Sequence, residues 1–287
     1  MSSIRHVYIF VLLLAVLPGC RRTRSVGPVA FVRLTGDYWQ IWAMNPDASG
    51  AVQITKSDFD KRYPLWMPDG RTLLFRDNNN RVFTVDSISG VEKQILEDFG
   101  MVGGLAPSPD GDMLLAARFR TGLKDSSDLW LVSPDGKERT ILTREGGLQS
   151  DPAWSPAGGL VAYISGRVLE AYELWVMKPD GAEKRMITDN TALELLPAFS
   201  HDGKKLAYAS DVTGDYEIWV VGVDGRGEVR LTDSRGIDTR CVWSPDDREI
   251  MFVSSRSGSL QIWIMNSDGS NQRQLTNGAP SMEPAWR

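Results

Sequence analysis

Charged and phenolic side chains recur at a fixed interval along this chain. One residue ahead of a proline or its equivalent stand Tyr63, Gly104, Asp151, Leu196, Arg240 and Glu283, with Arg62, Glu194 and Asp238 just upstream. Asp151, Glu194 and Glu283 offer oxygens to a cation or a polar donor, and the arginines offer N–H groups to an anion. A fold that gathers these positions would make either a pocket for a polar ligand, peptide or cation, or the hydrated lining of an open channel. Catalysis has less to work with, because the chain holds two histidines and two cysteines. His201 lies between Ser200 and Asp202 in a turn sequence, and neighbours in a turn diverge where a triad must converge. Cys241 adjoins Arg240, which can lower a thiol pKa, but its strand setting argues for a buried, inert thiol. The repeated Asp-Gly pairs lack the Asp-x-Asp-x-Asp spacing of calcium loops and read as turns. No catalytic residue, metal ligand or cofactor is assigned; a channel-bound calcium on the carboxylates is the alternative.

These residues must be positioned by the rest of the chain, whose 287 residues are 42% hydrophobic and 24% charged, with net charge −5. Such a composition suits a globular domain and excludes a disordered tail or a polytopic membrane protein. Its acidic balance argues against a nucleic-acid partner. Residues 1–19 read as a signal peptide: Arg5 and His6 precede an apolar run from Val7 to Leu17 that rises only about 16 Å as a helix, too little to span a bilayer. The ending Leu17-Pro18-Gly19-Cys20 resembles a bacterial lipobox, which implies acylation of Cys20, with 20–28 as a lipidated tether. Several acyl chains, at about 0.8 kcal/mol per buried methylene, would hold the protein firmly on a membrane.

The remaining chain is periodic. Trp66, Pro107, Trp154, Phe199, Trp243 and Trp286 mark one landmark of the unit, and Trp42, Phe83, Trp130, Trp175, Trp219 and Trp263 mark another. Both repeat about every 44 residues, so 24–287 holds six units. In the fourth, four short strands are predicted at Pro152 to Ser155, Leu160 to Ser165, Glu173 to Met177 and Arg185 to Thr188, joined by Gly- and Asp-rich turns. Middle strands such as Leu73-Leu74-Phe75 are apolar on both faces, which requires burial on both sides. The first unit lacks its Pro-x-Trp strand, while Pro284-Ala285-Trp286-Arg287 is an orphan copy of it. The expectation is an all-β fold: a single six-bladed β-propeller of four-stranded antiparallel blades over 29–287, closed by the C-terminal strand pairing with blade one.

The short, uniform turns share one face; longer, varied loops share the other, including those bearing Asp37, Tyr38, Asp215 and Tyr216. Binding residues are expected on the variable face, around the channel mouth. The tryptophans of the Ile-Trp strands are expected to pack blades together. The pattern Pro-Ala-Trp-Ser-Pro-Asp-Gly, then Ile-Trp-x-Met-x-x-Asp-Gly and Leu-Thr, is matched closely at Asp151 to Gly158 and Leu174 to Thr188. It recurs over 196–232 and 242–276, and in this the chain resembles the TolB-like β-propeller repeat family, without that family's N-terminal α/β domain. The resemblance implies a non-enzymatic, monomeric docking scaffold for an envelope protein or peptide. With the lipobox it implies a lipid-anchored protein facing the periplasm, expected at the outer membrane. The alternative is a carbohydrate-binding or hydrolase- or lyase-type propeller acting at the channel mouth.

Overall fold

The computed structural model describes residues 26–123, 126–167 and 171–287; the expected signal peptide, Cys20 and the tether as far as Ser25 lie outside the described residues. Those described form six four-stranded antiparallel sheets, one per repeat, and no helix among them is long and apolar enough to cross a membrane. The innermost strands are Ser281–Trp286 of blade 1, Arg62–Trp66, Val102–Pro107, Leu148–Trp154, Glu194–Phe199 and Asp238–Trp243. Closure is as expected. Ser281–Trp286 pairs antiparallel with Val29–Thr35, setting Val29 opposite Trp286 and Arg33 opposite Ser281.

The middle strands are buried on both faces, with Leu73, Leu74 and Phe75 fully enclosed. Side chains from neighbouring sheets interlock, so the core lies between blades. Ala106, Leu115 and Leu129 of blade 3 pack with Val161, Tyr163 and Met177 of blade 4. The last interface joins Val29, Phe31 and Met44 of blade 1 to Met251, Ile262 and Ile264 of blade 6. Each large aliphatic side chain buried in this way contributes roughly 1.5–3 kcal/mol. Trp42, Trp130, Trp175, Trp219 and Trp263 sit at the edges of these clusters, as Trp130 does edge-on to Phe99 at 5.9 Å, while Trp66 and Trp243 lie within them.

The strands of blade 4 differ from the sequence expectation by one to four residues at their ends. The innermost strand of blade 4 starts four residues early, at Leu148, and the outermost covers Arg185–Met186 alone. That shortening has a chemical cause. Thr188 leaves the backbone ladder and uses its hydroxyl instead, accepting from the Leu174 N–H at 2.9 Å and donating to Glu173 Oε2 at 2.6 Å. Thr55, Thr143, Thr232 and Thr276 accept in the same way from Ile41, Leu129, Ile218 and Ile262. The threonine of each Leu-Thr pair therefore serves the backbone. The loop bearing Asp37 and Tyr38, expected among the longer ones, is short, because strands Val29–Thr35 and Tyr38–Met44 leave only Gly36-Asp37 as a two-residue turn between them.

Deleting 281–287 should remove the inner wall of blade 1 and expose strand Val29–Thr35. Differential scanning calorimetry should record a melting temperature lower by on the order of 10 °C, and light scattering should detect oligomers; an unchanged monomer would refute closure by this strand. Thr232→Val should leave the Ile218 N–H and a Glu217 oxygen without their shared partner, which costs about 1–3 kcal/mol in urea unfolding.

Candidate functional site: the channel mouth

The recurring position before the proline is a backbone feature before it is a chemical one. In five of the six innermost strands the pairing register slips there, as between Arg62 and Leu65, Ser150 and Ala153, or Thr239 and Val242, whereas in blade 3 it slips one residue earlier, between Val102 and Gly104. Tyr63, Asp151, Leu196, Arg240 and Glu283 adopt left-handed φ values of 57°, 47°, 56°, 54° and 58°. Such conformations are uncommon for side-chain-bearing residues, and bulges of this kind re-aim a side chain out of the regular pleat. Here they line one central cavity of about 340 Å³. Blade 3 differs in carrying Gly104, where a Cβ would meet Pro152 Cδ at 2.8 Å. Glycine is required there by the approach of blade 4.

At the mouth the groups engage one another. Glu283 receives Arg62 at 2.9 Å and the Tyr63 backbone N–H. Arg240 donates to the Tyr63 hydroxyl at 3.0 Å, and its guanidinium lies 4.3 Å from the centre of that ring. Arg76 lies over the same ring at 4.2 Å and donates to the Val102 carbonyl and to Asn80. Among the described residues Asp151 has one hydrogen-bond partner, the Leu196 N–H at 3.4 Å; burial pushes its carboxyl pKa up while Arg240 and Arg76 oppose that shift. Below the mouth the wall is apolar, with Pro64, Pro152, Pro197 and Pro284 above Trp66, Trp154 and Trp286.

Tyr63, Asp151, Arg240 and Glu283 are thus gathered as expected from the repeat, with Arg62 at their edge. Glu194 and Asp238 are not on the cavity wall. Both are fully buried, Glu194 against Asn190 and Ser210, and Asp238 in an ion pair with Arg256. Their place three residues before the proline position puts them in the regular part of the strand, outside the bulge. Asp37, Tyr38 and Asp215 are exposed on the variable face, and Tyr216 is half-buried. His201 lies in the opposite turn, where its backbone N–H and that of Asp202 bind the Asp247 carboxylate of the next blade.

Arg76 is the functional candidate that the repeat reading passed over. It pairs with Arg62 at the register held in other blades by Val32, Ile164, Ala209 and Val253. A charge at an apolar strand position was the available signal. Among the described residues no three His, Cys, Asp or Glu side chains converge on a metal position.

Two titrations follow from burial. Desolvation holds the Cys241 thiol up at about 12, so iodoacetamide at pH 8 should label it only after denaturation; rapid labelling of folded protein would contradict the burial. Burial raises Glu194 to about 7, above the ordinary carboxylate range, against the favourable Asn190 and Ser210 hydrogen bonds. The folded state therefore prefers the protonated acid, and stability falls as pH rises from about 4.5 to 7. Glu194→Gln should raise the melting temperature at pH 8 and leave it nearly unchanged at pH 4.5; equal shifts at both pH values would exclude this account.

The TolB beta propeller domain model matches residues 209–287. An uncharacterized protein of Agrobacterium fabrum is 31% identical over 123 residues, 42% of this chain and 41% of the relative. A TolB homolog of Chlorobium luteolum is 26% identical over 149 residues, 51% of this chain and 33% of the relative. The matched segments thus span less than half of these relatives. The structure of TolB from Acinetobacter baumannii superposes with a TM-score of 0.78 at 18% identity, covering 91% of this chain and 66% of that one. An oligogalacturonate lyase in complex with manganese shares the fold at a TM-score of 0.60 and 16% identity, covering 88% and 74%. With six blades closed by its last strand, this chain is a six-bladed β-propeller of the fold seen in TolB, and over residues 209–287 it is similar to the TolB beta propeller domain.

Proposed function

We propose that this propeller is a non-enzymatic docking scaffold in the bacterial cell envelope, held to a membrane through an acylated Cys20 and facing the periplasm, at the outer membrane. One observation carries the docking reading: five backbone bulges aim Tyr63, Asp151, Leu196, Arg240 and Glu283 into one mouth beside the variable loops. Holding side-chain-bearing residues in the left-handed region costs about 1–3 kcal/mol each, and conformations of this kind cluster at functional sites. The groups gathered there are suited to recognition. Arg62, Arg240 and Glu283 are engaged in ion pairs and hydrogen bonds, and Cys241 in the wall is held in its thiol form. Its partner is an envelope protein or peptide, bound by the mouth and by loops carrying Asp37, Tyr38, Asp215 and Tyr216. The signal-like segment and the lipobox resemblance support the address.

Photo-crosslinkers placed at Tyr38 and Tyr216 in intact cells should capture one discrete partner, and capture should fall when Asp215 and Asp37 are changed to lysine. Capture unaffected by those reversals, or turnover of an acidic oligosaccharide abolished by Asp151→Ala, would reject the reading in favour of an enzyme. Cys20→Ser should abolish palmitate labelling and release the protein from the membrane fraction; a membrane-bound, unlabelled wild type would reject the anchor.

A further inference from the structure

The docking reading leaves open what the partner presents to the channel, and the inference drawn here rests on that reading. Three guanidinium groups, of Arg62, Arg76 and Arg240, meet two carboxylates, Asp151 and Glu283, around the mouth. Glu283 is committed to Arg62 and to the Tyr63 N–H. Arg240 comes no nearer to it than 3.9 Å, beyond hydrogen-bond distance, and hydrogen-bonds only Tyr63 among the described residues. Arg76 has no carboxylate partner among them, and its buried Nε donates to nothing. Both guanidiniums are held over the Tyr63 ring, so little side-chain freedom remains to be lost when an anion arrives.

The chemistry of the surroundings narrows the anion. Asp151 and Glu283 nearby would repel a dianion, so a single negative charge fits best. Two arginine forks match the geometry of a carboxylate. The prolines, alanines and tryptophans below the mouth would leave sugar hydroxyls without partners, whereas they accommodate an amino-acid side chain. We propose that the channel mouth binds a peptide by one carboxylate, held between Arg76 and Arg240, with the adjoining residue inserted into the apolar throat. The carboxylate is either a chain terminus or an acidic side chain.

Isothermal titration calorimetry of the full-length protein at low salt distinguishes the two sources. The probes are acetyl-Ala-Leu as free acid, its C-terminal amide, acetyl-Ala-Glu-Ala amide, digalacturonate and inorganic phosphate. One of the two carboxylate peptides should bind, naming terminus or side chain, with acetyl-Ala-Leu amide weaker by about tenfold or more, the factor equivalent to 1.4 kcal/mol. Arg240→Gln and Arg76→Gln should each weaken binding by a similar factor. Asp151→Asn should tighten it, a gain that damaged folding cannot imitate. Binding of neither carboxylate peptide more tightly than acetyl-Ala-Leu amide, preference for digalacturonate or phosphate, or weaker binding by Asp151→Asn at native melting temperature would overturn the proposal. If the loops crosslink a partner in cells but no carboxylate peptide binds, this inference fails and the docking reading stands. If a peptide binds and no partner is captured, the reverse holds.

Discussion

The pairing of Ser281–Trp286 with Val29–Thr35 is the constraint on which the molecule depends. Every blade buries its middle strands only because a neighbour covers each face, so an open array would leave two blades with an uncovered side. The closing strand supplies the missing face at the one place where chain order cannot. It also completes the mouth, because Glu283, on this last strand, anchors Arg62 and the Tyr63 backbone of blade 2. Closure and the ion pairing of the mouth thus meet in the same six residues.

Each bulge can be strained because the blade around it is over-determined. The second, third and fourth strands are fixed by apolar packing and by the threonine hydroxyl that caps the third strand. Against that frame, a local conformation costing about 1–3 kcal/mol survives. The result is a scaffold whose outer three strands differ little between blades, while the residue at the bulge varies from Tyr63 to Asp151 to Arg240. The side chains of the mouth can change there without disturbing the sheets. The fold separates what must stay constant from what varies.

Most of the architecture was legible in the sequence, because repetition averages out local ambiguity. Two tryptophan landmarks at one spacing set the number of blades, and the orphan Pro284-Ala285-Trp286-Arg287 located the closure. The site was legible in part. Aligning the repeats found Tyr63, Asp151, Arg240 and Glu283, since the bulge recurs at a fixed offset from the proline position. It could not separate them from Glu194 and Asp238, because one added residue at the bulge decides which side chains turn toward the axis and which stay between strands. Arg76 was hidden for a related reason: it ends a strand whose central members, Leu73, Leu74 and Phe75, are apolar, and its partner Tyr63 is contributed by the neighbouring strand. The roles of the Leu-Thr threonines were equally invisible, since a hydroxyl replacing a ladder bond leaves no pattern distinct from an ordinary strand.

Joining the two ends of the polypeptide has a temporal side. Contacts between Val29 and Trp286 bridge nearly the whole length, and the entropy of shutting so large a loop is met before any of its reward. Until the final strand joins it, blade 1 has three strands and a bare inner edge. During that interval the nascent protein presents an unpaired edge able to recruit foreign strands. The feature that makes the finished ring self-contained therefore makes its unfinished form dependent on timely completion, or on a chaperone that shields the edge in transit.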